Sequence, residues 1–248
     1  MSLILFKISE FLYFFKNLYY RLIYKWYYSN INGLHAFPKN KYILNNNNLQ
    51  YKMVLPNGVD TSLFYPDYNS YNKILKLVFV AALTKNKGLD ILLQLIDSFK
   101  DDDRLEFHIV GSGPMVNEIK KRKNINYHGV ITDHELSELY RKSDIFVYPS
   151  HSDTYSLVTL EALSSGLYVL CSDYLKGNFD EFENKYLEYL PLNIDYWHFK
   201  IFKIINNKDL IKHDKNAEYS YIKDNYSWEK ISTKFYDCMK SFYKESKK

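Results

Sequence analysis

The stretch "PSHSDTYSLVTLEALSSG", Pro149 to Gly166, sets two carboxylates, Asp153 and Glu161, in a run otherwise suited to a buried helix. Asp153 can cap that helix, whose first-turn amides from Thr154 through Tyr155 to Ser156 are then free to meet an anion. Glu161 shares a helix face with Leu157 and Val158 and is flanked by Leu160, Ala162 and Leu163. A charge buried there without a partner costs several kcal/mol. Glu161 therefore needs a donor, either a buried Arg or Lys or the hydroxyls of a ligand.

Two further stretches have residue types that suit an anionic or polar ligand. "TKNKGLD" puts Lys87 in the turn before a helix, where a compact ammonium can meet a phosphate; a solvated loop lysine is the plainer account. "VGSGP" follows a strand and opens a helix, so Gly111 and Gly113 could let the backbone approach a ligand, with amides facing an anion or a base. It lacks the G-x-G-x-x-G spacing of a dinucleotide fingerprint, and taken alone a tight turn accounts for it. "DDDR" at Asp101 to Arg104 lies between a helix and a strand and reads as a solvated turn. His151 adjoins the main stretch as a loop histidine. No His, Cys or acidic grouping has metal-ligand spacing, so no metal and no cofactor is expected.

These residues must be held by the elements between them. "KMVLPN", "LKLVFVAAL", "LEFHIVG", "INYHGV", "DIFVYPS" and "LYVLCSD" are short, nearly continuous apolar runs that read as strands. "GLDILLQLIDSFK", "PMVNEIKKRK", "DHELSELYRK" and "YSLVTLEALSSG" alternate with them and have helical periodicity. The fold class is α/β, a doubly wound parallel sheet with helices on both faces, and from Asn178 onward the chain reads as mostly helical. Such sheets take ligands at the carboxyl ends of their strands, where each of these motifs falls.

"SNINGLHAFPKNKYILNNNN" reads as a loop or linker from Ser29 to Gln50, dividing an N-terminal helix and linker over 1–50 from a domain over 51–248. The opening segment, "SLILFKISEFLYFFKNLYYRLIYKWYY", is apolar but is interrupted by Lys7, Glu10, Lys16, Arg21 and Lys25, so it is no membrane span and no secretory leader. Cations at helical spacing among Phe, Leu, Trp and Tyr describe an amphipathic helix. It either lies on a membrane surface through residues 1–28 or packs on this protein or a partner.

Composition narrows the partners. With 33 Lys+Arg against 29 Asp+Glu, spread along 248 residues, the chain has no dense basic footprint, and nucleic acid is not an expected partner. Cys171 and Cys238, the two cysteines, are too few for a disulfide framework. A reducing, cytoplasmic setting follows, peripheral on a membrane if the first segment binds one.

The order of motifs resembles the C-terminal, nucleotide-sugar-binding domain of family 4 retaining glycosyltransferases of the GT-B fold. The landmarks are "NGVDTSLFYP", "FVAALTKNKGLDILL", "HIVGSGP", "NYHGVI", "SDIFVYPS", the opening stretch and "YSWEKI". The resemblance implies transfer of a sugar from a nucleoside-diphosphate-sugar donor with retention at the anomeric carbon. It implies that Asp153 and Glu161 fill the acidic positions of the Glu-x7-Glu motif, Asp153 facing the sugar and Glu161 the ribose hydroxyls. Lys87 would meet the diphosphate, amides of Thr154 and Tyr155 would lie near the phosphates, and the backbone around Val130 would lie beside the base.

The chain departs from that pattern at Ala81 and Ala82, where the family usually has Gly-Arg, and at "DTYSL", where it usually has Glu-Gly-Phe-Gly-Leu. About 50 residues precede "VLPNGVD", too few for the acceptor-binding domain of GT-B enzymes. The expectation is a reduced one-domain enzyme or subunit completed by a partner chain or a homo-oligomer, or docked on a membrane that carries the acceptor. The alternative is a noncatalytic nucleotide-sugar-binding, scaffold or regulatory subunit.

Overall fold

The computed structural model describes residues 33–45, 49–68, 74–122 and 125–247. The expected N-terminal amphipathic helix lies outside the described residues.

Six strands form the main sheet: β3 (Leu75–Val80), β4 (Leu105–Val110), β5 (Ile125–Gly129), β6 (Ile145–Tyr148), β7 (Tyr168–Ser172) and β8 (Leu187–Leu190). All pair in parallel, in the order β5-β4-β3-β6-β7-β8. The side chains of β6 and β7 are buried throughout, as continuous apolar runs covered on both faces require. The helices are α1 (Leu89–Ser98), α2 (Val116–Lys120), α3 (Asp133–Arg141), α4 (Leu157–Ser164), α5 (Ile194–Asn206), α6 (Lys215–Tyr226) and α7 (Trp228–Glu245). α1 packs on α5 and α4 on α6, and right-handed crossovers on the two sides of β3 and β6 put these pairs on opposite faces.

The chain winds outward from β3 to one edge and from β6 to the other. The switch point between β3 and β6 leaves a crevice at their carboxyl ends, because the connecting loops there diverge. Two sequence landmarks have a purely structural explanation. Val59 of "NGVD" and the α6–α7 junction exchange hydrogen bonds, Val59 N to Tyr226 O at 2.8 Å and Trp228 N to Val59 O at 3.2 Å. A Cβ on Gly58 would lie 2.7 Å from the Trp228 ring, so a glycine there lets "YSW" close over the turn.

The structure corrects the sequence reading in two places. "KMVLPN" supplies a strand, β2 (Tyr51–Val54), but it pairs with β1 (Gly33–Ala36) in a separate two-stranded parallel sheet rather than joining the main one. β1 and a 3-10 turn over Pro38–Asn45 occupy the stretch read as linker. The part after Asn178 is mostly helical, as read, and "LEYL" adds the edge strand β8. At four residues, with only Leu187 and Leu190 buried, it carries too little apolar pattern to stand out.

Candidate functional site

The site begins with glycines that press the loop after β3 against its neighbours. Thr84 accepts a hydrogen bond from Lys87 N at 3.3 Å and caps a single 3-10 turn over Lys85–Lys87. Gly88 ends that turn at φ 82° and opens α1. A Cβ on Gly88 would sit 1.9 Å from the Pro149 carbonyl oxygen, so only glycine allows the β3 and β6 loops to meet. The contact is reinforced where His151 N donates to Asn86 O at 2.9 Å and the His151 ring reaches Asp90 at 3.2 Å. His151 thus braces the two loops. Gly88→Ala should lower stability by about 3 kcal/mol or more through left-handed strain and the clash together, read as a lower urea midpoint at unchanged slope.

That contact sets Lys87 beside Asp153. Lys87 Nζ lies 2.9 Å from Asp153 Oδ2, with side-chain exposures of 28% and 14%. The Tyr148 hydroxyl donates to the same oxygen at 2.7 Å. Burial, followed by the Asp153 hydrogen bond and charge, pushes the Tyr148 phenol well above its ordinary range, so it stays a neutral donor. Tyr148 was not legible as a site residue, since the last residue of an apolar strand reads as core. The available signal was its position, at the carboxyl end of a switch-point strand and five residues before Asp153.

Asp153 does not cap the helix. Ser156 does, its side chain accepting from Thr159 N at 3.3 Å, so the free first-turn amides of α4 begin at Leu157 and not at Thr154. Thr154 and Tyr155 belong to the preceding loop. The Thr154 carbonyl accepts from Asn178 Nδ2 at 2.9 Å, and Asn178 Oδ1 accepts from Lys39 N at 3.1 Å. The Tyr155 ring is buried between Phe37 and Phe179, with centroids 5.2 and 5.1 Å away. The β1–β2 unit is therefore strapped to the loop that carries Asp153.

Like the buried Tyr155 hydroxyl, Glu161 is an unsatisfied group of the site. Its Oε2 is buried and takes no hydrogen bond from any described residue. Desolvation, with a smaller contribution from the Asp133 charge, pushes its carboxyl up to about 7. Of the two donors the sequence left open, the described residues supply neither an Arg nor a Lys.

Gly111 and Gly113 are accounted for by packing. At Gly111, φ is 128° and a Cβ would stand 1.9 Å from Ala81 O; at Gly113 it would stand 2.6 Å from Leu83 O. Their absent side chains let the β4 loop lie on the β3 loop. Val130, just past β5, is 75% exposed, and around neighbouring Gly129 there is open space. Ala82 is exposed on the β3 loop, so no second cation stands at that position beside Lys87. Among the described residues no group of three or more His, Cys, Asp or Glu is placed to hold a metal ion. No helix among them is long and apolar enough to cross a membrane.

Chains of known structure share this architecture. A sucrose-phosphate synthase from Thermosynechococcus elongatus superposes with a TM-score of 0.75 at 17% identity, over 90% of this chain and 61% of that one. A glycosyltransferase from Rickettsia africae superposes at 0.73 and 19% identity, over 89% and 67%. By sequence, the sulfoquinovosyl transferase SQD2 of Arabidopsis thaliana is 31% identical over 128 residues, which are 46% of this chain and 24% of the relative. An uncharacterized glycosyltransferase of Methanocaldococcus jannaschii is 28% identical over 224 residues, 82% of this chain and 58% of its own. The first curated relatives are matched over only 24%, 33% and 28% of their own lengths. The family described as "Glycosyl transferases group 1" matches residues 64–232, well over half the chain. Its span runs from Phe64 through the crevice to the start of α7, taking in Lys87, Asp153 and Glu161, and so the chain belongs to the group 1 glycosyltransferases.

Proposed function

We propose that the crevice between β3 and β6 binds a nucleoside-diphosphate sugar and that the sugar is transferred with retention at its anomeric carbon. The observation that carries this reading is Glu161. A carboxylate with a buried, unpartnered oxygen lies on the helix that follows the loop of the Lys87–Asp153 pair. Ribose hydroxyls are donors of the kind Glu161 lacks, and an ammonium at the end of the β3 loop suits the diphosphate. A neighbour of similar fold, HepE of Anabaena, was solved with UDP and glucose.

In this reading Lys87 stabilises charge on the departing diphosphate. Asp153, held by Lys87 and Tyr148, faces the sugar, and the start of α4 supplies amides to the phosphates. Thr154 and Tyr155 shape the loop, and the open backbone around Gly129 and Val130 borders the base. Gly111 and Gly113 hold the β4 loop in place beneath. The described residues form one wall of a cleft, and the acceptor wall comes from elsewhere in the full protein, from a partner chain or from another copy.

A second reading, binding without turnover, is favoured by Ala82. One cation of the usual two is lost, and a missing charge stabiliser costs about 10²–10³ in rate. The test is calorimetric titration with UDP-, GDP- and ADP-sugars, followed by assay for released nucleotide and glycosylated product. Binding with turnover is the expected result. Binding lost in Glu161→Ala, but with no turnover under any acceptor condition, selects the second reading. No binding of any donor overturns both.

A further inference from the structure

Asn178 lies in the loop after β7, between single 3-10 turns over Asp173–Leu175 and Asp180–Phe182, and is 1% exposed. Its carboxamide reaches in two directions at once. Nδ2 donates to Thr154 O at 2.9 Å, and Oδ1 accepts from Lys39 N at 3.1 Å. A main-chain N–H can only donate and a carbonyl can only accept, so these partners require one acceptor and one donor on a single short side chain. Asn supplies both, whereas Asp and Leu do not. Among the described residues, the Asn178 bond is the one hydrogen bond made to the main chain of Asp153, Thr154 or Tyr155. The other hold on this loop is the Tyr155 ring, stacked on Phe37 at 5.2 Å and 27°. Lys39 adds a second tie to the loop after β7, its Nζ donating to Tyr174 O.

We propose that Asn178 is a positioning residue of the crevice, holding the Asp153 loop against the β1–β2 unit so that the closeness of the Lys87–Asp153 pair follows the seating of that unit. The proposal rests on the reading that the crevice takes a nucleoside diphosphate. Asn178 acts one peptide unit from Asp153, through the Thr154 carbonyl. Asp153 Oδ2 is shared between Lys87 Nζ at 2.9 Å and the Tyr148 hydroxyl at 2.7 Å, which leaves little slack. A displacement of about 1 Å at Thr154 takes the ion pair out of hydrogen-bond range. On the other side of the bridge, the β1–β2 unit has a small buried cluster, Ala36, Leu44 and Leu49, and two strands are marginal by themselves. The unit is therefore placed by what it is tied to. Two of its ties, Lys39 N and the Phe37 ring, end on Asn178 and Tyr155. A load on β1–β2 is thus felt at Asp153.

The test reads the ion pair first without ligand, in the full chain. Acylation of Lys87 by an amine-reactive ester, followed by peptide mass spectrometry, should run at least about threefold faster in Asn178→Asp than in wild type, because an opened pair leaves the amine less shielded and less firmly protonated. Exposed Lys85, on the same turn, should be unchanged, and Lys200, paired with Glu188 on β8, reports any general loosening of the fold. Phe37→Leu weakens the strap from the β1 side and should move Lys87 in the same direction. The second readout is nucleotide affinity. Asn178→Asp should tighten whichever of UDP, GDP and ADP binds wild type by about threefold, and leave it unchanged in an Asp153→Asn background, where no anion is left to be drawn away. Lys87 reactivity that is unchanged in both variants, or raised equally with that of Lys85 and Lys200, overturns the proposal. An equal gain in affinity in the two backgrounds does the same. Failure of every nucleotide to bind overturns the reading of the crevice, while the Lys87 result decides the positioning role by itself.

Discussion

Glu161→Gln should make the protein more stable at pH 8 and a poorer binder of nucleotide sugar at the same pH. The two effects share one cause. Burial raises the Glu161 carboxyl from 4.5 to about 7 in the fold, so the folded state holds the proton more tightly than the unfolded chain does. The stability due to that proton is fully present below pH 4.5 and is lost as pH rises through about 7. At pH 8 the wild-type carboxylate is ionised in a site that disfavours it, at a cost of roughly 3 kcal/mol. Glutamine removes the ionisation, so its advantage should be near zero at pH 4.5, grow through neutrality and level off above pH 8. In a chain of this size each kcal/mol moves the melting temperature by about 2–4 °C, which paired thermal scans at pH 5 and pH 8 resolve.

Binding runs the other way. Hydrogen bonds from ribose hydroxyls to a carboxylate contribute about 1.5–3 kcal/mol, so Glu161→Ala should weaken the donor about tenfold to a hundredfold. Because those hydroxyls favour the ionised carboxyl, wild-type affinity should rise with pH up to about 7, falling by up to about tenfold per unit below it. Titrations at pH 6 and pH 8 would show this, with proton release into the buffer at the lower pH. A pH-independent affinity in the wild type, matching that of Glu161→Gln, would falsify the ribose role of Glu161.

Most of the strands legible in sequence are those buried on both faces; the edge strand β5, read from "INYHGV", has no fully buried residue. β3, β4, β6 and β7 have side chains committed to a core on each side, which leaves an apolar run that only a covered sheet explains. β8 and β1 are edge elements of four residues with mixed burial, and nothing in their local composition separates them from loop. The site divides in a similar way. Glu161 was conspicuous because helix period and charge disagree locally. The cap of α4 was not readable, since Asp153, Thr154 and Ser156 are all competent capping residues. The choice falls to Ser156 because Lys87 and Tyr148, distant or hidden in sequence, draw Asp153 away. The glycines of "VGSGP" posed the same difficulty. What they make room for is the β3 loop, whose carbonyls at Ala81 and Leu83 no local pattern reveals.

Asp153→Asn should separate binding from transfer, strengthening the first while removing the second. In the structure Asp153 Oδ2 holds Lys87 Nζ at 2.9 Å, so an incoming diphosphate must share or displace an anion already paired with its cation. The carboxylate and the diphosphate also repel each other, and both terms oppose binding. Asparagine keeps the shape and the acceptor for Tyr148 OH, which sits 2.7 Å away, but removes the charge. Affinity for free UDP, GDP or ADP should therefore rise, by about fivefold for each kcal/mol of relieved competition. Transfer should fall by two to three orders of magnitude, roughly what the loss of one charge stabiliser at the reacting centre costs. Lys87→Met gives the opposite binding result and the same kinetic one. It removes the cation and leaves the partly buried Asp153 facing the phosphates, so nucleotide affinity should fall at least about tenfold. Tyr148→Phe should resemble neither variant in affinity. It leaves the ion pair in place and loosens only the carboxylate, so its effect belongs in turnover, with donor binding near wild type. Equal nucleotide affinity in Asp153→Asn and Lys87→Met would show that the pair does not compete with the ligand, and that the two side chains reach the donor by separate routes or not at all.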